Sequence, residues 1–315
     1  MQGIDIIEQN VADLSIDLLK TLLIDRTTGN YIKWATDNYE HLGIEFTPEH
    51  EILPELVTGE NTNVVQPRVS KDKEEQNKRT KDKAEVFTPS WVCNAQNNLI
   101  DEAWFGNKDV FNTQTKKKWK TAKKKIGFPE GKTWQDYVDD KRLEITCGEA
   151  PYITSRYDTV TGKPIDVPDR IGLLDRKLRI INENCDDEDE WLKWAYRAFQ
   201  SIYGYDYQGD NVLLARENLL CTFSDNMIFK LGHEPLVKQL NDVARIISWN
   251  IWQMDGLTYT VPYGEQIAKE PQMNIFDYLG MEGDVQKTEP IPCKIFDWRS
   301  NCSIEFRSMI KEAKG

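Results

Sequence analysis

The chain has 315 residues, 39% of them hydrophobic, with ten Trp, twelve Tyr and eleven Phe; that is enough apolar material for one large core and excludes disorder throughout. A formal charge of −12 excludes a protein that binds nucleic acid over its whole surface by bulk electrostatics, so any DNA contact has to be local. Six Cys standing singly, with no CxxC pair, and three widely separated His argue against a zinc or other metal site. Together with an opening MQGIDIIEQNVADL that lacks a basic-then-apolar signal, and no apolar run near the roughly 18 residues of a span, they predict a reduced, cytoplasmic protein with no membrane contact.

In chain order, Ile4–Leu23 carries Ile7, Val11, Leu14, Leu18 and Leu22 at helical spacing and reads as one amphipathic helix. TTGNYIKWATDNYEHLG then reads as a turn and short strand. The stretch Ser70–Lys83 (SKDKEEQNKRTKDK) reads as a linker or exposed helix, making 1–84 a small, mostly helical appendage. Next, Phe87-Thr88-Pro89-Ser90 is extended, because Pro89 biases its predecessor away from helix, and a helix starts near Trp91 with Ser90 or Thr88 as its cap. Residues 106–135 are Lys-rich without clear period and read as an insertion or loop.

From Arg142 the pattern alternates. RLEIT is a strand entering a tight turn, Trp191–Ile202 a helix feeding YGYDYQ, Asn211–Phe229 and Leu236–Met254 two further helices, and IPCKIFDW a last strand. Alternating strands and helices predict an α/β domain over 85–315 built on a parallel sheet with crossover helices. In such sheets ligands sit beyond the carboxyl ends of the strands. There Gly148 permits a close backbone turn, Asp206 is suited to accept from a ribose diol, and Asp297 to accept from an adenine amino group.

The order of these pieces resembles the N6-adenine DNA methyltransferases of restriction-modification systems whose cofactor motif lies at the amino end. Val86-Phe87-Thr88-Pro89 is similar to the segment that touches the methionine portion of S-adenosylmethionine. Glu144–Tyr152 (EITCGEAPY) is similar to the Asp-Pro-Ala-Cys-Gly-Ser-Gly loop, YGYDYQGDNVLLARENLL to the segment with the ribose-binding acid and a Leu-Ala-Arg-x-Asn-Leu helix, and IFDW to the strand whose Asp faces adenine. The resemblance implies a Rossmann-like S-adenosylmethionine-dependent methyltransferase fold. It also implies cofactor contacts from Phe87, Thr88, Pro89, Thr146, Cys147, Gly148, Glu149, Tyr152, Asp206, Asp297 and Trp298.

Two departures qualify the match. The loop keeps only Gly148 and has Glu149-Ala150-Pro151 where the family has smaller residues, and the catalytic Asn/Asp-Pro-Pro-aromatic motif is missing: the chain contains no Pro-Pro, only Ala150-Pro151-Tyr152 and Val261-Pro262-Tyr263. That motif holds a flipped adenine by its amino group and stacks on its ring. Its absence shortly after IFDW predicts a split or multi-subunit enzyme. This chain would bind the donor and carry no catalytic residue, and a second polypeptide would supply the motif on double-stranded DNA.

Lys116, Lys117, Lys118, Lys123, Lys124 and Lys125 are candidates for tracking a phosphate backbone. The competing expectation is a non-catalytic interaction or regulatory protein, including an acidic mimic of DNA, to which the run Glu183–Glu190 (ENCDDEDE) would contribute. No acidic-x-Lys nuclease strand is found, and Cys147 has no recognisable His partner for nucleophilic hydrolysis.

Overall fold

The computed structural model describes residues 8–71, 88–267 and 288–312; the Ser70–Lys83 linker beyond Lys71 lies outside the described residues. The amino-terminal periodic stretch forms two helices, α1 (Glu8–Leu14) and α2 (Ile16–Leu23), because Ser15 takes an extended backbone and becomes the N-cap position of the second. A turn over Asp25–Asn30 follows, where the Asp25 carboxylate accepts the Thr27 and Thr28 N–H groups, and then short 3-10 turns run to Ser70.

Helix α3 (Ser90–Phe105) has Pro89 at its cap position, and the job expected of Ser90 or Thr88 is done from afar: Asp158 Oδ2 accepts the Ser90 N–H at 3.1 Å. Residues 106–135 are not a structureless loop. They contain a hairpin of β1 (Asn112–Thr115) and β2 (Lys118–Thr121), turning at Lys116 with φ +56°, and lead into α4 (Trp134–Asp139), which Thr133 and Asp136 cap reciprocally. Strands of four residues, largely exposed, leave no apolar alternation to read.

The centre is a three-stranded parallel sheet in the order β3 (Arg142–Ile145), β4 (Ile202–Asp206), β5 (Ile251–Gln253). Helices α5 (Leu173–Asn184) and α6 (Glu188–Gln200) lie between β3 and β4, and α7 (Gly209–Leu231) and α8 (Val237–Asn250) between β4 and β5. The helix expected over Leu236–Met254 therefore ends at Asn250, and Ile251–Gln253 is a sheet strand; a continuous apolar run does not distinguish the two by period. The middle strand is buried along its whole length, as a parallel strand covered on both faces should be.

Successive residues of β4 face opposite ways. Ile202 joins a core with Ile251, Leu174, Leu178, Phe199 and Val243, while Tyr203 and Tyr205 join a smaller one with Trp252, Met254, Cys293 and Phe306. The second face is thus covered by the antiparallel pairs β6 (Thr260–Ile267) with β7 (Thr288–Pro292) and β8 (Lys294–Asp297) with β9 (Cys302–Glu305), and by α9 (Phe306–Glu312).

The amino-terminal helices pack into the larger core. Leu18, Leu19, Leu22 and Leu23 are fully buried in the larger core, each burial contributing about 1.5–3 kcal/mol. Arg216 of α7, itself buried, donates to the carbonyls of Leu22, Ile24, Ser248 and Ile251, so one guanidinium ties α2 to α8 and β5; burial lowers its pKa to about 9. No helix among the described residues is long and apolar enough to cross a membrane.

Candidate functional site

Strands β3 and β4 end side by side, and the Cys147 N–H, two residues beyond β3, donates to the Tyr205 carbonyl at 2.8 Å. The chain then reverses through three left-handed residues, Thr146 (φ +47°), Gly148 (φ +53°) and Ala150 (φ +62°). For a residue with a Cβ this conformation costs about 1–2 kcal/mol, and it persists where surrounding bonds impose it. Here those bonds are Ala150 N–H to the Cys147 carbonyl at 2.7 Å, and Tyr152 and Ile153 N–H to the carboxylate of Glu144 at 3.4 and 3.2 Å. Gly148 has open space where a Cβ would stand, so its positive φ, not crowding, is what favours glycine.

The loop is latched to the next strand end. Asp206 Oδ2 accepts the Gly148 N–H at 2.9 Å, and Oδ1 accepts the Gln208 N–H at 3.0 Å and the Asn211 side-chain amide at 3.4 Å. Burial raises the Asp206 pKa to about 6 against the pull of these donors. Burial likewise holds Glu144 well above the usual carboxylate range and the Cys147 thiol well above its ordinary value, which leaves Cys147 unsuited to nucleophilic work.

Glu149, which stands where the resembling loop has a small residue, turns into the protein: its carboxylate accepts the Arg68 N–H at 2.6 Å and the Tyr157 hydroxyl at 2.7 Å. Asn218, from the LARENL segment of α7, donates to the Glu149 carbonyl at 3.2 Å. That segment therefore supports the loop from below; Arg216 and Asn218 are structural.

A cavity of about 650 Å³ opens over these strand ends, between the 146–152 loop, α3 and the start of α7. Its walls combine apolar Ile100, Ile145 and Leu173 with the acids Glu144 and Asp206 and with Glu149, whose carboxylate is engaged by Arg68 and Tyr157, and no Lys, Arg or His lines it among the described residues. Two buried asparagines in the wall, Asn97 and Asn211, each have a side-chain oxygen without a hydrogen-bond partner.

The amino-terminal chain is tied to the ends of the parallel strands beside the cavity. The Gln253 amide at the end of β5 accepts the Lys33 N–H at 2.8 Å and donates to the Lys33 and Tyr207 carbonyls at 2.7 and 2.8 Å. Gly209 lets this segment come close, since a Cβ there would stand 2.0 Å from the Lys33 carbonyl oxygen.

Of the residues singled out from sequence, Thr88, Thr146, Cys147, Gly148, Glu149, Tyr152 and Asp206 line this one cavity. Pro89 sits behind it at the start of α3, and Phe87 lies outside the described residues. Asp297 and Trp298 are not brought there. Asp297 lies 3.8 Å from Lys141 and Trp298 donates to Asn250 at 2.8 Å, residues that precede β3 and β5, so both stand at the amino ends of the strands. The reason is that β8 pairs antiparallel with β9 and does not extend the parallel sheet.

Sequence reading passed over Glu144, Gln96, Asn97, Gln208 and Asn211, all in the cavity wall. Glu144 was legible as the first residue of the loop match; the helix positions carried no signal, because their role depends on how α3 and α7 pack.

The six Lys of 116–125 singled out for DNA are all exposed. Their hairpin rests on the amino-terminal half of α3: the Gln114 amide donates to the Trp91 carbonyl at 2.9 Å, and Lys117 lies 5.8 Å from the Trp91 ring centre. A second cavity, of about 830 Å³, lies against the hairpin between Trp119, Lys123, Arg179 and Lys230. Only the first meets the carboxyl ends of parallel strands, where ligands of such sheets bind. Comparison with family models, with curated proteins and with solved structures finds no match to this chain.

Proposed function

We propose that this chain is the donor-binding part of an adenine-N6 DNA methyltransferase of the restriction-modification type. It would have a Rossmann-like cofactor site for S-adenosylmethionine, act in the cytoplasm, and rely on a partner polypeptide for the tetrapeptide that holds the adenine. The observation that carries the reading is the latch from Gly148 to Asp206, at the ends of adjacent parallel strands, over a cavity lined by Glu144 and Asp206 and by no basic side chain among its described lining residues. A ligand with phosphates would find no cationic partner there, whereas one that carries a sulfonium and an ammonium meets only acidic and neutral groups.

The volume suits a nucleoside with an amino-acid arm, within the range of about 300–1,000 Å³ typical of small-molecule sites. A carboxylate offers about four lone-pair sites and Asp206 uses three, so it can still accept from a ribose hydroxyl. Asp297 and Trp298 have no part in this site.

The donor supplies an activated methyl group when bound. The chain's own residues have to hold it, orient it and exclude competing ligands, since methyl transfer from a sulfonium depends chiefly on alignment of donor and acceptor. No Pro-Pro occurs in the 315 residues, so the adenine-holding motif is assigned to the partner.

The reading as an acidic DNA mimic is disfavoured by where the acidic run goes. Asp187 caps α6 by accepting the Glu190 N–H at 3.0 Å, and Glu188, Asp189 and Glu190 fill its first turn, where the helix dipole favours them. Calorimetric titration with S-adenosylmethionine tests the proposal. Saturable binding is expected, weakened about 10- to 100-fold in Asp206→Ala; an unchanged affinity in that variant overturns the assignment.

A further inference from the structure

We infer that the open edge of β3 is where the partner polypeptide attaches, by adding a β-strand parallel to β3 whose carboxyl end then lies at the cavity. This rests on the reading of the chain as one part of a split enzyme and adds the place and form of its junction with the other part.

The two outer strands of the parallel sheet differ. β5 is buried along its length, whereas on β3 Leu143 is 46% and Ile145 63% exposed. Those two stand in register with Tyr203 and Tyr205 of β4 and so share their face of the sheet. Over β4 and β5 that face is covered by the second core, but the cover stops short of β3. The backbone is open as well. The Arg142 N–H donates to the carbonyl of Ser201, immediately before β4, at 2.9 Å, so the N–H groups of Leu143 and Ile145 point the other way, and neither has a hydrogen-bond partner among the described residues. No Pro or bulge interrupts β3, and an unpaired edge of this kind is a template for a further strand.

What adds there has to suit the cavity. Leu143, Glu144 and Ile145 all line it, together with Gln96 and Ile100 of α3. Neighbours in a strand face opposite ways, so a cavity that touches three in a row runs along the strand's edge as well as over its end. A parallel strand in that groove would end beside the 146–152 loop, and in parallel sheets the residues that follow a strand are those that reach the ligand. The chain has no Pro-Pro of its own, so a second copy would bring no adenine-holding motif. Two copies would also meet about a two-fold axis with their edges antiparallel, which turns the amino end of one β3 towards the cavity of the other. The occupant is therefore a strand of the partner, with branched apolar side chains on the face it shares with Leu143 and Ile145 and with the tetrapeptide just after its carboxyl end.

The probe is the peptide Lys-Val-Thr-Val-Thr-Val-Asn-Pro-Pro-Tyr with a fluorophore at its amino end, titrated into the full chain and followed by anisotropy, with hydrogen exchange read at single amides. In the free chain Leu143 and Ile145 are expected to exchange quickly, and saturating peptide to slow both at least about tenfold. Leu143→Arg, with its melting temperature as the control for folding, is expected to weaken binding at least about tenfold. N-methylation of the peptide's threonines, whose N–H groups would face β3, should abolish binding, and N-methylation of its valines should not. A photoreactive residue in place of the peptide's Tyr should label residues 146–152; labelling around Asp140 instead overturns the parallel arrangement.

Slow exchange of both amides in the free monomer, or no binding of the peptide, overturns the inference. So does a dimer in sedimentation that Leu143→Arg dissolves, since the edge then belongs to a second copy. Titration of S-adenosylmethionine alongside keeps the two readings apart. Cofactor binding without peptide binding leaves the donor-binding reading standing, peptide binding without cofactor binding leaves the edge assignment standing, and binding of neither overturns both.

Discussion

Asp206 shows how one side chain joins backbone geometry to a ligand's chemistry. Its carboxylate holds Gly148 in a left-handed turn and remains open on one side, and burial lifts its pKa to about 6 from 3.8. The sign follows from that shift. Between those values the folded chain retains a proton the unfolded chain has lost, so this group's contribution to stability falls as pH rises through the window. Binding runs the other way: the ionised form accepts hydroxyl donors and favours a cation. Affinity for S-adenosylmethionine is expected to rise about tenfold between pH 5 and pH 7 and then level off, with proton release seen by calorimetry in buffers of different ionisation enthalpy. A flat profile would remove Asp206 from contact with the ligand. Gly148 and Asp206 were readable in the sequence because each follows a strand directly. Asp297 follows a strand too, but no local pattern says whether that strand joins the parallel sheet or pairs as a hairpin beside it.

Among the elements, the β1–β2 hairpin is where a basic surface survives on an acidic chain. Lys116, Lys117 and Lys118 cluster at its turn, and its packing on α3 puts it one helix away from the cavity. Replacing these three with Glu is expected to weaken duplex DNA binding and to lower the salt slope by about 0.9 for each phosphate that is no longer neutralised, with cofactor affinity unchanged; anisotropy with labelled duplex at several salt concentrations measures both.

The helices α6 and α7 lie within a few residues of where periodicity predicts them, since each has an apolar face or a long buried run. The hairpin and β5 were illegible for opposite reasons. The first is too exposed to show alternation, and the second continues the apolar pattern of α8 without a break. Ser15 splits the first helix by its extended backbone, and the apolar period of 4–23 runs straight through it.

At the scale of the molecule, the shared core has a pH dependence of its own. Glu217 of α7 is fully buried with neither carboxyl oxygen partnered, and Glu8 of α1 is its neighbour in charge; burial first, and repulsion from Glu8 second, hold Glu217 far above the usual range, while burial raises Glu8 to about 8. Both folded values exceed the unfolded ones, so the native state binds more protons and stability declines as pH rises from about 4.5 towards 8. Glu217→Gln is expected to raise the melting temperature at pH 8 by roughly 2–5 °C and to flatten its fall between pH 5 and pH 8 in calorimetric scans.

The bonds between Lys33 and Gln253 join positions 220 residues apart. During synthesis, the segment around Lys33 leaves the ribosome early, and the amide that grips it emerges when most of the chain is already made. The residues that line the cavity all lie between Thr88 and Asn211, so they have been synthesised before that amide exists. What Gln253 adds is the tie between the chain's beginning and its last parallel strand, a contact that only a nearly finished chain can make.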